Sequence, residues 1–140
     1  QHRPNMQQII NKIKTCFENG GKLLIFGNGG SMAESSHMAT EFIGIGLPAI
    51  ALSDPAIITA LSNDFSYEDV FQNWVSAIVK REDLVIGISS SGRSASIINA
   101  YKYCERLRLN FIDFPRKGKT TSEIQENQLK LIHKIYEAFK

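Results

Sequence analysis

The sequence predicts an α/β fold: a three-layer α-β-α sandwich on a doubly wound, flavodoxin-like parallel sheet. Three observations lead there. Four short apolar runs (22–26, 48–52, 83–88 and 110–114) alternate with longer segments whose apolar residues recur every three to four positions. The runs are nearly continuously apolar rather than alternating, so both faces of each strand are to be covered, as in parallel sheets with helical crossovers. The chain has 140 residues, 43% hydrophobic and 21% charged, which suits one domain with a sizeable core of its own.

Taken in order, residues 6–17 place Met6, Ile9, Ile10, Ile13 and Phe17 on one helical stripe, and Asn19-Gly20-Gly21 ends that helix with a left-handed cap. The first strand, 22–26, runs into Gly27-Asn28-Gly29-Gly30-Ser31, with Ser31 as the cap of a second helix reaching Ile43. Strand two is 48–52. A short helix over 54–61 follows, then the turn-like Asn63-Asp64, then a longer helix over 67–79 that turns Val70, Phe71, Trp74, Val75 and Ile78 inward. Strand three is 83–88, the next helix 94–107, strand four 110–114 and the last helix 122–139. The joins at Gly44-Ile45-Gly46-Leu47 and Pro115–Lys119 are short for such a fold. Omitted loop residues near 44–46 and 115–120, within a single domain over 1–140, would produce them.

Composition excludes several functions. Sixteen Lys and Arg against 14 Asp and Glu leave a net charge of +2 with no basic stripe, which argues against nucleic acid and anionic membrane as partners. No apolar run approaches the roughly 18 residues of a membrane span, and no signal peptide opens the chain. Cys16 and Cys104 are two and far apart, as buried thiols of a reducing cytoplasm are. The expectation is a soluble cytoplasmic domain.

Ligands of open parallel sheets bind beyond the carboxyl ends of the strands, and two strand exits here carry unusual chemistry. Gly29 and Gly30 let a ligand approach bare backbone after strand one. The loop is neither a dinucleotide fingerprint, since Met32 stands at the third Gly, nor a Walker A loop. After strand three, Ser89-Ser90-Ser91-Gly92-Arg93-Ser94 sets several hydroxyls at a helix N-terminus, a cradle for a phosphorylated small molecule. His37 and Glu41, at i and i+4, share a helix face, which suits two metal ligands, an acid/base pair or a plain surface pair. His133, among Leu129, Ile132 and Tyr136, reads by default as a core histidine, and His2 is terminal.

Together these stretches resemble the sugar isomerase (SIS) domain, and within it the bacterial phosphoheptose isomerases. The resemblance rests on Gly27-Asn-Gly-Gly-Ser31, His37-x-x-x-Glu41, Ala51-Leu-Ser-Asp54, Ser62-Asn-Asp-Phe65, Gly87-Ile-Ser-Ser-Ser-Gly-Arg-Ser94 and Ile124-Gln-Glu126 with His133, in family order. It implies sugar binding by Asn28, Gly29, Gly30, Asn63 and Asp64, and phosphate binding by Ser89, Ser90, Ser91 and Ser94. It implies zinc held by His37, Glu41, Gln125 and His133, with Glu41 and Gln125 also meeting substrate. The implied reaction, in the heptose biosynthesis that feeds lipopolysaccharide or capsule, converts sedoheptulose 7-phosphate to D-glycero-D-manno-heptose 7-phosphate through an enediolate. The implied assembly is a homotetramer with active sites at subunit contacts. Glu41 is then the base and His133 the acid, or both bind zinc; the roles compete, because a carboxylate on zinc is a weaker base. Ser62, Ser90, Arg93 and Gln128 depart from the family pattern, and Arg93 bears on substrate preference. The rival is a non-catalytic SIS-domain binding protein of the DnaA initiator-associating type, disfavoured by the presence of both Glu41 and His133. Gln125 and His133 are eight residues apart, about 12 Å along one helix. The spacing therefore predicts Gln125 at or before the helix start, or reaching the ion from another subunit.

Overall fold

A computed structural model describes residues 3–140; His2 lies outside them. Four strands, β1 (Leu23–Gly27), β2 (Ala49–Ala51), β3 (Leu84–Ile88) and β4 (Asn110–Asp113), form one parallel sheet in the order β2-β1-β3-β4. The six helices are α1 (Met6–Glu18), α2 (Gly30–Ile43), α3 (Pro55–Asp64), α4 (Val70–Ile78), α5 (Ala95–Arg106) and α6 (Thr121–Glu137). This is the doubly wound sandwich expected from the apolar runs.

The pleat of β1 explains the two helical layers. Leu23 and Ile25 face a core that includes Ile9 and Ile13 of α1, Met38 and Phe42 of α2, and Ile132 and Ile135 of α6. Leu24 and Phe26 face the opposite one, with Phe71, Trp74 and Val75 of α4 and Ile97, Ala100 and Cys104 of α5. All five residues of β1 and of β3 are buried, so their sequences carry no polar alternation. The two strands are tied at their starts by Asp83, whose carboxylate accepts from the Lys22 and Lys80 backbone and pairs with Lys22 Nζ at 2.8 Å. Burial pushes the Cys16 thiol up to about 11 and the Cys104 thiol to about 12, so both remain unreactive.

The element boundaries hold to within a few residues, with four local differences. Ser31 does not cap α2. Gly29, at φ +59°, is the cap residue, and Ser31 lies one position inside the helix, its N–H bonded to Asn28 O. Asn63 and Asp64 are not a turn but the last residues of α3, which Asp54 caps through Ala56 N at 2.8 Å. The helix expected over 67–79 begins as a 3₁₀ turn, Tyr67–Asp69, because Ser66 Oγ accepts from Asp69 N and tightens the entry. Met6, the first residue of α1, is exposed although it falls on the apolar stripe. Among the described residues no helix is long and apolar enough to cross a membrane.

Candidate active site

Strand order sets the location. From β1 the chain crosses to β2 on one side, while β3 pairs with β1 on the other, Gly27 opposite Ile88. The loops leaving β1 and β3 therefore diverge over a shared crevice, the switch point of an open sheet.

One wall is the glycine turn. The positive φ of Gly29 is a conformation that a side chain rarely adopts, and it starts α2 without a side-chain cap, so the first turn's N–H groups take no side-chain partner. Asn28 is fixed from both ends: its Nδ2 donates to Ser96 Oγ at 3.0 Å, and its Oδ1 accepts from Tyr67 Oη at 2.5 Å. Neither Tyr67 nor Ser96 stands out in the sequence, because their role depends on where the 3₁₀ turn and α5 are brought by tertiary packing.

The other wall is the hydroxyl loop. Ser89 Oγ accepts from Gly92 N and Ser91 Oγ from Arg93 N, both at 3.0 Å, which leaves the two hydroxyl protons to donate. Ser94 occupies the cap position of α5 without using its side chain, so its hydroxyl and the helix's first N–H groups are also available. Gly92, at φ +71°, brings the loop against the Arg116 guanidinium, where a Cβ would sit 2.8 Å from Cζ. Arg116 is itself held by Asp113 at 2.6 and 3.2 Å, and Asp113 accepts Tyr101 Oη at 3.0 Å. Arg93, by contrast, faces solvent.

The side-by-side packing of α2 and α6 makes the third feature. Glu41 Oε1 lies 2.9 Å from His37 Nε2 and 3.2 Å from His133 Nε2, and the two imidazole nitrogens are 3.1 Å apart. His133 is thus no core histidine; its side chain is 50% exposed and turned toward α2. The three ligand atoms lie within 4.8 Å of one another. In a tetrahedral zinc site, bonds of 2.0–2.2 Å separate neighbouring donors by about 3.3–3.6 Å, so the trio fits after small shifts and leaves a fourth position open.

Gln125 lies on the same helix as His133. It is the fifth residue of the continuous helix α6, not a residue at or before its start, and eight positions from His133. Its amide lies over Gly30, in contact with the space a Cβ would fill there, so it borders the glycine turn. Asn63 and Asp64 are exposed at the end of α3, with Asn63 Nδ2 3.3 Å from Asp64 Oδ1. Glu34, which no local motif marks, shares the α2 face of His37 and Glu41 and is only 8% exposed, with Oε1 unpartnered. Burial pushes its carboxyl up to about 7.

Known proteins share this fold and much of this sequence. The SIS domain family matches residues 1–113. The chain is similar to the phosphoheptose isomerase of Thermodesulfovibrio yellowstonii, 39% identical over 142 residues covering 96% of this chain and 66% of that protein. It is also similar to the solved phosphoheptose isomerases of Neisseria gonorrhoeae (TM-score 0.85, 32% identity, 95% of this chain and 83% of that one) and Francisella tularensis (TM-score 0.88, 26% identity, 94% and 83%). The chain spans 54–66% of the length of the first curated relatives it matches.

Proposed function

The chain belongs to the SIS-domain family and to its phosphoheptose isomerase branch, and on that premise we propose that it is an aldose–ketose isomerase. The proposed reaction converts sedoheptulose 7-phosphate to D-glycero-D-manno-heptose 7-phosphate. The observation that carries this reading is a carboxylate, Glu41, within 3.2 Å of two imidazoles on a face shared by two helices.

Isomerisation moves one proton between neighbouring carbons and one between their oxygens. Glu41 takes the proton from C1 of the ketose and returns it to C2 of the enediolate. His133 gives a proton to the C2 oxygen and recovers one from the C1 hydroxyl, so that the carbonyl ends at C1. Positioned groups of this kind contribute roughly 10²–10⁴-fold each. His37, bonded to both, holds the carboxylate and the second imidazole in register. When zinc is bound, His37, Glu41 and His133 would hold it, and it would supply positive charge for the enediolate oxygen.

The remaining assignments follow from the crevice. Ser89, Ser90, Ser91 and Ser94 bind the phosphate by donating hydroxyls and helix N–H groups. Asn28, Gly29 and Gly30, with Asn63 and Asp64, meet the sugar. Gln125, beside Gly30, meets the substrate and is the candidate for the fourth ligand position, as the resemblance implies. A homotetramer with sites at subunit contacts is supported by large apolar side chains left in water near the site, Phe65 at 70% and Ile43 at 57% exposed. A phosphorylated sugar is a substrate of the cell interior, and the protein is assigned to the cytoplasm. The test is direct: incubate the chain with sedoheptulose 7-phosphate and follow the aldose C1 proton by NMR. Appearance of the aldoheptose phosphate is expected; an unchanged ketose spectrum contradicts the reading.

A further inference from the structure

We propose that the chain carries a second anion site, behind the hydroxyl loop, that takes a small polyphosphate through Lys117, Lys130 and Lys134. The site is a cleft of about 830 Å³ between the start of α1, the loop after β4 and α6. That volume is in the range of small-molecule pockets.

Charge distribution is the first argument. Five of the chain's 16 Lys and Arg line this cleft (Arg3, Arg116, Lys117, Lys130 and Lys134), and no Asp or Glu does. The other 11 cations face 14 carboxylates, so the rest of the molecule is net acidic while this cleft is strongly basic. Arg116 is paired with Asp113; among the described residues, Lys117, Lys130 and Lys134 have no carboxylate within 4.0 Å. The 13-residue helix α1 begins in the same cleft, with no acidic residue in its first turn. Its positive end adds to the field there.

A second argument is how the lysines are set. Gln128, 1% exposed, closes the floor of the cleft, and its Nε2 donates to Ser89 O and Pro115 O, both at 3.1 Å, which ties α6 to the loops after β3 and β4. Lys117, on the loop after β4, and Lys130 and Lys134, on α6, are thereby held around one space. Three unpaired ammonium groups match a compact polyanion better than a single phosphate, a chemistry that a nucleoside diphosphate and inorganic pyrophosphate share. None of His37, Glu41, His133, Asn28 or the four loop serines lines this cleft, so the proposal does not rest on the isomerase reading.

The test is calorimetric titration of the whole chain, in chelator-treated buffer at low salt, with ADP, AMP and inorganic pyrophosphate. Expected is one ADP per chain, bound more tightly than AMP. The exposed pair Lys117→Gln/Lys130→Gln should weaken it roughly 100-fold, about tenfold per charged contact, with unchanged melting temperature. Ser91→Ala should leave it unaffected. Pyrophosphate weaker than ADP supports a nucleotide occupant, and pyrophosphate equal to ADP supports an inorganic one at the same lysines. The proposal is overturned if neither ADP nor pyrophosphate binds saturably. It is equally overturned if the lysine pair binds like wild type, or if Ser91→Ala abolishes binding and so assigns the ligand to the hydroxyl loop.

Discussion

Replacing Glu34 by Gln should make the protein's stability less sensitive to alkali, and the size of the effect follows from burial. In the fold, the Glu34 carboxyl is 8% exposed with an unpartnered Oε1, and its pKa is raised from 4.5 to about 7 by desolvation. The unfolded chain loses this proton near pH 4.5, whereas the folded protein keeps it until about 7. Between those values the native state binds more protons than the unfolded one, so stability falls as pH rises through the window and levels off above it. Linkage over these two pKa values gives a loss of about 2–3 kcal/mol between pH 5 and pH 8. Gln keeps the shape and cannot ionise. Whatever the amide itself gains or loses is the same at both pH values, so it cancels in the difference between them. For a domain of this size the difference amounts to a relative gain in melting temperature of roughly 5–10 °C at pH 8. Thermal unfolding of wild type and Glu34→Gln at pH 5 and pH 8 measures it. Parallel curves, with no difference in pH dependence, would refute the claim that Glu34 is a desolvated acid.

Other outcomes follow from the crevice. Ser91→Ala removes one hydroxyl donor to the phosphate and should weaken substrate by about 1.5–3 kcal/mol, seen as a rise in KM of roughly tenfold or more; an unchanged KM removes the loop from phosphate binding. Tyr67→Phe frees Asn28 Oδ1, and should lower kcat/KM by up to about tenfold at little change in melting temperature, since Tyr67 is half-exposed. Steady-state kinetics at wild-type values for that variant would show that Asn28 needs no such support. Dialysis against a chelator should reduce turnover, and added zinc should restore it. Activity unchanged after complete metal removal would leave Glu41 and His133 as a simple acid/base pair.

Much of the architecture was legible because buried parallel strands leave an unambiguous trace. The runs at 22–26 and 83–88 are apolar on both faces, and the glycines and serines that follow them mark the strand exits. What spacing alone does not carry depends on neighbours distant in sequence, and the meeting of His37, Glu41 and His133 was legible only through the family resemblance. Periodicity gives α6 a buried stripe, but not that His133, one residue past Ile132, meets α2 rather than the core. Glu41 and His133 come within 3.2 Å across 92 positions, which no spacing rule anticipates. The two Oγ-capped N–H groups of the hydroxyl loop were readable in kind but not in detail. Tyr67 and Arg116, which hold Asn28 and Gly92, are outside any local motif. The place of Gln125 within α6, with its amide beside Gly30, depends on the continuity of that helix, which its composition does not signal.

Proton transfer by Glu41 is the central claim, and isomerisation in deuterium oxide tests it most directly. Sedoheptulose 7-phosphate, turned over by the wild-type chain, should yield aldoheptose phosphate carrying solvent deuterium at C2, because the abstracted proton exchanges at a carboxylate whose surroundings reach water. Glu41→Gln, which keeps volume and removes the base, should lose both isomerisation and deuterium uptake by roughly 100-fold or more while circular dichroism stays native. A folded Glu41→Gln protein that isomerises and exchanges at the wild-type rate would contradict the account.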